Sequence, residues 1–103
     1  MNTVIFVTAS HKKEADKIAF ALIKGKLAAC VNIIENVRSL FWWQGKVDSA
    51  KEALLIIKTR RALVPKLIKK VKSLHSYEVP EVIVLPIISG NKEYLKWLND
   101  STK

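Results

Sequence analysis

The chain has 103 residues, half of them apolar, and carries 18 Lys and Arg against 9 Asp and Glu, a formal charge of +9. That length fits one domain, residues 1–103, with no room for a linker or a second core, and the apolar content excludes a disordered tail. One cysteine excludes an internal disulfide and suits a reducing compartment. No apolar run approaches a membrane span, and Met1-Asn2 leads into strand-like sequence without a basic leader, so the expected location is cytoplasmic.

Residues 3–9 (TVIFVTA) form an almost unbroken apolar run, as in a central strand. Ser10 is placed to cap the helix that follows, in which Ala15, Ile18, Ala19, Leu22 and Ile23 make one buried stripe and Gly25 is the stop. Two long strands come next, 28–43 and 46–60, joined by a tight turn at Gln44-Gly45. Odd positions of the first strand run Ala29, Val31, Ile33, Glu35, Val37, Ser39, Phe41 and Trp43, and the polar pair Glu35-Asn36 predicts a bulge or bend. Fifteen residues of strand reach roughly 50 Å, whereas a domain of this size has a radius of gyration of about 13 Å. The hairpin therefore projects as an arm, with Leu40, Phe41, Trp42 and Trp43 at its tip.

Beyond Arg61, the spacing of Leu63, Leu67, Ile68, Val71 and Leu74 predicts a second amphipathic helix, with Pro65 in its first turn. Residues 75–80 (HSYEVP) read as a turn that leads into a strand over 81–88, and Pro86 assigns that strand to an edge or a bulge. A third helix covers 92–99. The order β-α-β-β-α-β-α is an α+β pattern, a ferredoxin-like βαββαβ sandwich with an extra C-terminal helix and a long hairpin arm between its second and third strands.

In such a unit two helices cover one sheet face, so the strands should alternate apolar and polar residues. Here Val4-Ile5-Phe6-Val7, Leu54-Leu55-Ile56-Ile57 and Val82-Ile83-Val84-Leu85 are apolar towards both faces. Self-association through the uncovered face, with arms clasping neighbours, answers this, and another copy of the chain is the expected partner.

No nucleophile–base–orienter set can be assembled, so no enzymatic activity is expected. The three glycines, Gly25, Gly45 and Gly90, are isolated, which excludes a phosphate-cradling loop, and no C-x-x-C pair is present. Cys30 reads as a buried mid-strand thiol and His11 as an incidental surface residue. Seven basic residues fall between Lys58 and Lys72, a pattern that the solvated face of a helix explains. The densest constellation is His75-Ser76-Tyr77-Glu78-Val79-Pro80-Glu81, an imidazole and two carboxylates of the kind that suit first-row divalent metals. On spacing alone, a capping histidine with solvated glutamates gives the same string.

Five stretches together resemble the CutA family of divalent-cation-tolerance proteins. They are Ala28-Ala29-Cys30-Val31-Asn32-Ile33, Ser39-Leu40-Phe41-Trp42-Trp43-Gln44-Gly45, Lys58-Thr59, His75–Glu81 and Tyr94-Leu95-Lys96-Trp97-Leu98, in the family's order and spacing over nearly the whole chain. The resemblance implies a ferredoxin-like homotrimer similar to the PII signalling proteins. It also implies a role in tolerance of and response to divalent metals, with Cu(II) the metal most often named, binding near clefts between subunits and no organic cofactor. Three positions depart from the family's pattern: Phe41 replaces its usual tyrosine, Ser76 its usual proline, and Val7 stands where some members carry cysteine. That leaves His75, Glu78 and Cys30 as candidate metal ligands, with His75 and Glu78 ahead of Cys30, and Lys58, Tyr77 and Trp43 as candidate cleft residues.

Two other classes compete. A PII-like sensor would bind a small anionic ligand or a protein partner at the intersubunit clefts. A nucleic-acid-binding domain fares worse, since residues 51–60 lack the spaced aromatics on which bases stack. An acylphosphatase-like enzyme rests on fold analogy alone. Neither a membrane nor a nucleic acid is expected as a partner.

Overall fold

The computed structural model describes residues 1–103. In chain order the elements are β1 (Asn2–Ala9), α1 (Lys12–Lys24), β2 (Cys30–Trp43), β3 (Lys46–Arg60), a short 3-10 turn (Arg61–Leu63), α2 (Val64–Leu74), β4 (Val82–Pro86) and α3 (Lys92–Ser101). All strand pairs are antiparallel, in the order β2-β3-β1-β4. Pro86 therefore lies on an edge strand, where its missing N–H leaves no gap in the ladder.

The helix caps differ from expectation in one place. His11, not Ser10, is the N-cap of α1, its Nδ1 accepting the Glu14 N–H at 3.1 Å. Ser10 instead donates its backbone N–H to the Glu14 carboxylate at 3.1 Å. The carboxylate three residues into the helix thus reaches back to the preceding turn, as in a capping box.

Alternation along β1 and β3 divides the sheet into two faces. Ile5, Val7, Ala9, Ala53, Leu55 and Ile57 point to α1 and α2, and with Ala15, Ile18, Leu22, Leu67 and Val71 they form the main core. The residues between them, Val4, Phe6, Leu54 and Ile56, point the other way. That second face is covered in part by α3, whose Leu98 is fully buried outside the main core. Arg60 fastens α3 by donating from Nε to Thr102 Oγ1 at 2.8 Å and from Nη2 to the Thr102 carbonyl at 2.7 Å. Ile34, Ile83 and Leu85 on the same face stay 46%, 48% and 42% exposed.

The bulge falls where the polar pair predicts it. Ile34 pairs with Leu54 and Val37 with Glu52, so Glu35 and Asn36 together oppose Ala53, and Asn36 takes a positive φ of 59°. One extra residue shifts strand parity by one. Val31 and Ile33 therefore face the helices, whereas Val37, Ser39, Phe41 and Trp43 turn to the opposite face. The single stripe expected along β2 is split between two faces for this reason.

Beyond the bulge the hairpin runs to a turn in which Gln44 and Gly45 both have positive φ, 49° and 77°, the geometry that matches strand twist in a two-residue loop. The molecule measures 45 × 25 × 22 Å, and its long axis reflects the projecting arm. A Cβ at Gly45 meets nothing within 4 Å, while one at Gly90, without a positive φ, makes ordinary contact with Leu95 at 3.5 Å. Gly45→Ala should therefore lose about 1 kcal/mol through backbone strain alone, and Gly90→Ala should stay within about 0.5 kcal/mol of the parent. Chemical denaturation checks both, and a costlier Gly90 substitution would contradict the turn geometry.

Candidate functional site

The segment 75–81 is held by its first residue. The His75 side chain is fully buried. Its Nδ1 accepts the Tyr77 N–H at 3.0 Å, which assigns the proton to Nε2, and Nε2 donates to the Thr8 carbonyl at 2.7 Å. The His75 backbone N–H caps α2 through the Val71 carbonyl at 3.0 Å. One residue thus joins the end of α2, the end of β1 and the following loop.

Glu14 completes the knot. It accepts the Ser76 N–H at 3.0 Å and the Ser10 N–H at 3.1 Å, and it lies 3.6 Å from His75 Nδ1. Burial works against its charge, but the hydrogen bonds from Ser76 and Ser10 outweigh it and hold the carboxyl below its ordinary pKa. Nothing in the local sequence singles out Glu14. Its partner, Ser76, lies 62 residues further along the chain.

Tyr77 points from this loop to β3 and donates its hydroxyl to Glu52 Oε2 at 3.0 Å. Burial and the Glu52 carboxylate push the phenol up to about 12. Glu52 is itself nearly buried. The strand parity of Leu54, Ile56 and Lys58 already places it on the α3 side of the sheet, a signal that could have found it.

Between the loop and the arm lies an open depression of about 850 Å³. Ser39, Phe41 and Trp43 form its arm side, while Asp48, Glu52, Glu78 and Glu81 bring carboxylates to it. Four of the chain's nine acidic residues thus line one cleft, and no Lys or Arg does. A cleft of this make-up attracts cations and repels anions.

The candidate ligands are not brought together. Glu78 lines the cleft, and His75 sits directly behind it with both ring nitrogens engaged. Cys30 is the first residue of β2, half-buried rather than buried mid-strand, and it pairs with Lys58. Lys58 lies six residues along β3 from Glu52, about 20 Å of strand. Within the chain no three His, Cys, Asp or Glu side chains gather in a way that could hold a metal. Of the cleft candidates, Tyr77 and Trp43 line the depression, whereas Lys58 stands at the other end, hydrogen-bonded to Asn32. There Cys30 adjoins Tyr94, whose phenol is raised by burial and by that thiol.

The family model described as CutA1 divalent ion tolerance protein matches residues 3–101. The chain belongs to that family. It is 50% identical over 100 residues to the rice protein called Protein CutA 1, chloroplastic, covering 97% of this chain and 56% of that one. It is 46% identical to the divalent-cation tolerance protein CutA of Thermus thermophilus, covering 99% of each. The solved Thermus thermophilus structure covers both chains fully with a TM-score of 0.98. The structure described as the periplasmic divalent cation tolerance protein CutA of Archaeoglobus fulgidus does so with a TM-score of 0.97 at 41% identity. The chain thus spans about half the length of its rice relative and nearly all of the Thermus one. No helix is long and apolar enough to cross a membrane.

The Tyr77–Glu52 pair has a defined pH signature. The folded pKa lies above the ordinary phenol value of 10.0, so the fold favours the protonated form. That stabilisation is complete below pH 10 and is lost as pH rises towards 12. Tyrosinate absorbance of the native protein should accordingly rise at higher pH than that of the unfolded chain, since Tyr94 is raised as well. Tyr77→Phe, which strands a buried carboxylate, should cost about 1–3 kcal/mol in denaturation, and coincident titrations of native and unfolded protein would remove the pair.

Proposed function

We propose that this CutA-family protein serves divalent-cation tolerance as a homotrimer that binds a divalent metal, Cu(II) among the candidates, at the acidic cleft, and that it is a binding protein and not an enzyme. The observation that carries the reading is the cleft itself: four carboxylates and no cation on a chain of net charge +9. Family membership supports the tolerance role, and the Thermus thermophilus relative is named for divalent-cation tolerance rather than for a reaction.

Two features support the trimer. The strand order β2-β3-β1-β4, with α1 and α2 as crossovers, supports a ferredoxin-like subunit similar to those of PII proteins, and its α3-side face leaves Ile34, Ile83 and Leu85 partly bare. The arm holds Trp42 and Trp43 75% and 60% exposed, more apolar surface than a lone chain keeps in water. A neighbouring copy covers both.

The metal site needs the same neighbour. A first-row divalent ion takes four or more donors, and one chain gathers no three. Glu78 is the leading ligand because it is exposed at the cleft. His75 joins the set only by giving up its bond to Tyr77 or Thr8, so coordination through it would loosen the 75–81 loop. Cys30, at the start of β2 opposite Lys58, lies too far along the sheet to share this ion within a subunit and serves only a separate site. A reducing, cytoplasmic setting suits this unpaired thiol.

A PII-like sensor of small anions is the weaker reading, because the cleft offers an anion no positive group and Lys58 lies outside it.

Isothermal titration with Cu(II) tests the site. Glu78→Gln should weaken binding at least tenfold, while Cys30→Ser should leave it within twofold, values on the scale of a lost charged ligand and of a remote change. Unchanged binding in both Glu78→Gln and His75→Ala would move the metal out of the cleft. Light scattering coupled to size exclusion should give three times the chain mass, and Trp43→Ala should weaken assembly by about 2 kcal/mol. A folded monomer at micromolar concentration would sink the trimer.

A further inference from the structure

The positive charge of the chain is concentrated on the helical layer. Helices α1 and α2 lie side by side over one sheet face, their apolar stripes in a single core. Lys13, Lys17, Phe20 and Lys24 recur at i, i+4, i+7 and i+11 along α1, turned away from the buried Ala15, Ile18, Ala19 and Leu22. On α2, Lys66, Lys69 and Lys70 are exposed, and the helix contains no acidic residue. None of these six lysines forms an ion pair. The outward acid of α1, Asp16, is engaged by Lys12 at 2.9 Å.

An apolar group stands among these charges. Phe20 leaves 67% of its surface in water, Ile23 is exposed beside it, and the Lys24 ammonium lies 5.7 Å from the Phe20 ring centroid. A run of lysines on one helix is an ordinary solvated face. Six unneutralised lysines over two adjacent helices, with an outward phenylalanine in the α1 row, are a different feature. The sequence by itself points to no membrane partner, because only the fold sets the two helices side by side and turns Phe20 outward with the α1 lysines.

We propose that the α1–α2 face docks reversibly on an anionic membrane surface, with the lysines over lipid phosphates and Phe20 seated at headgroup level. Charge complementarity selects a polyanion, and Phe20 selects the lipid interface, where an apolar side chain gains by leaving water. Nucleic acid fits less well. The cations are lysines, point charges without the bidentate fork of arginine, and the face has one outward aromatic rather than a row on which bases stack. The face is opposite the sheet surface assigned above to assembly, so a trimer leaves it free and presents three copies. The inference is independent of the metal reading, since the cleft is lined by none of these residues.

The test is co-sedimentation of the full chain with vesicles of pure phosphatidylcholine and with vesicles in which one quarter of the lipid is phosphatidylglycerol, at low and high salt. Binding is expected to the anionic vesicles alone and to be lost at high salt. Lys66→Gln/Lys69→Gln/Lys70→Gln should weaken it by roughly 5-fold per lysine removed, and Phe20→Ser should weaken it with the lysines intact. Circular dichroism confirms that the variants fold, and Glu78→Gln should leave vesicle binding unchanged. Absence of binding to anionic vesicles by the folded parent overturns the proposal. So does binding that Phe20→Ser leaves unaltered, or that a single-stranded homopolymer RNA matches, since either result makes the face a general polyanion surface.

Discussion

Strands β1 and β3 are apolar on both sides, and both sides must be taken out of water. On one side Ile5 faces Ile57 and Val7 faces Leu55 beneath α1 and α2; on the other Phe6 faces Ile56 and Val4 faces Lys58. At about 25 cal/mol per Å² of buried apolar surface, neither set can be left wet in a marginally stable domain. The first requirement is met within the chain by two amphipathic helices. The second is met in part by α3, through Leu98 and the Arg60 clamp on Thr102. The remainder, around Ile34, Ile83 and Leu85, is the physical ground for the proposed trimer.

The same double-sided sheet sets where the cleft forms. Thr8 at the end of β1 anchors His75, and Glu52 on the neighbouring strand anchors Tyr77, so the loop between α2 and β4 is fixed to the sheet at two points. Glu14 ties the loop to the start of α1 as well. Buried polar networks are rigid when every member has a partner. Here the paired groups hold Glu78 and Glu81 at the rim of a depression whose other wall is the arm. A histidine at the start of the loop thus fastens one wall of the cleft.

Charge is sorted by the fold in the same way. Asp48, Glu52, Glu78 and Glu81 come from β3 and the 75–81 loop to one depression, while unpaired lysines occupy the outer helices. A formal charge of +9 describes neither surface. One surface is acidic and another basic, and they are built on different elements of the fold.

Much of this was legible in the sequence. Periodicity located the three helices and four strands, Glu35-Asn36 marked the bulge, Gln44-Gly45 the turn, and Pro86 the edge, because each follows from local backbone geometry and side-chain patterning. Five motifs in order pointed to the family. What the tertiary structure alone decided concerns residues distant in the chain. Glu14 meets Ser76 and Tyr77 meets Glu52 only because the sheet register and the α1–α2 packing bring them together. The bulge sent Phe41 and Trp43 to the face opposite Val31 and Ile33, a parity change that one stripe of alternation does not display. Cys30 and His75, joined on paper by their liking for metals, stand apart because Cys30 lies level with Val4 on β1 and His75 is bonded to Thr8, four residues further along that strand. Local preferences are written residue by residue, whereas a site is made by contacts across the chain, and those were fixed when the sheet acquired its register.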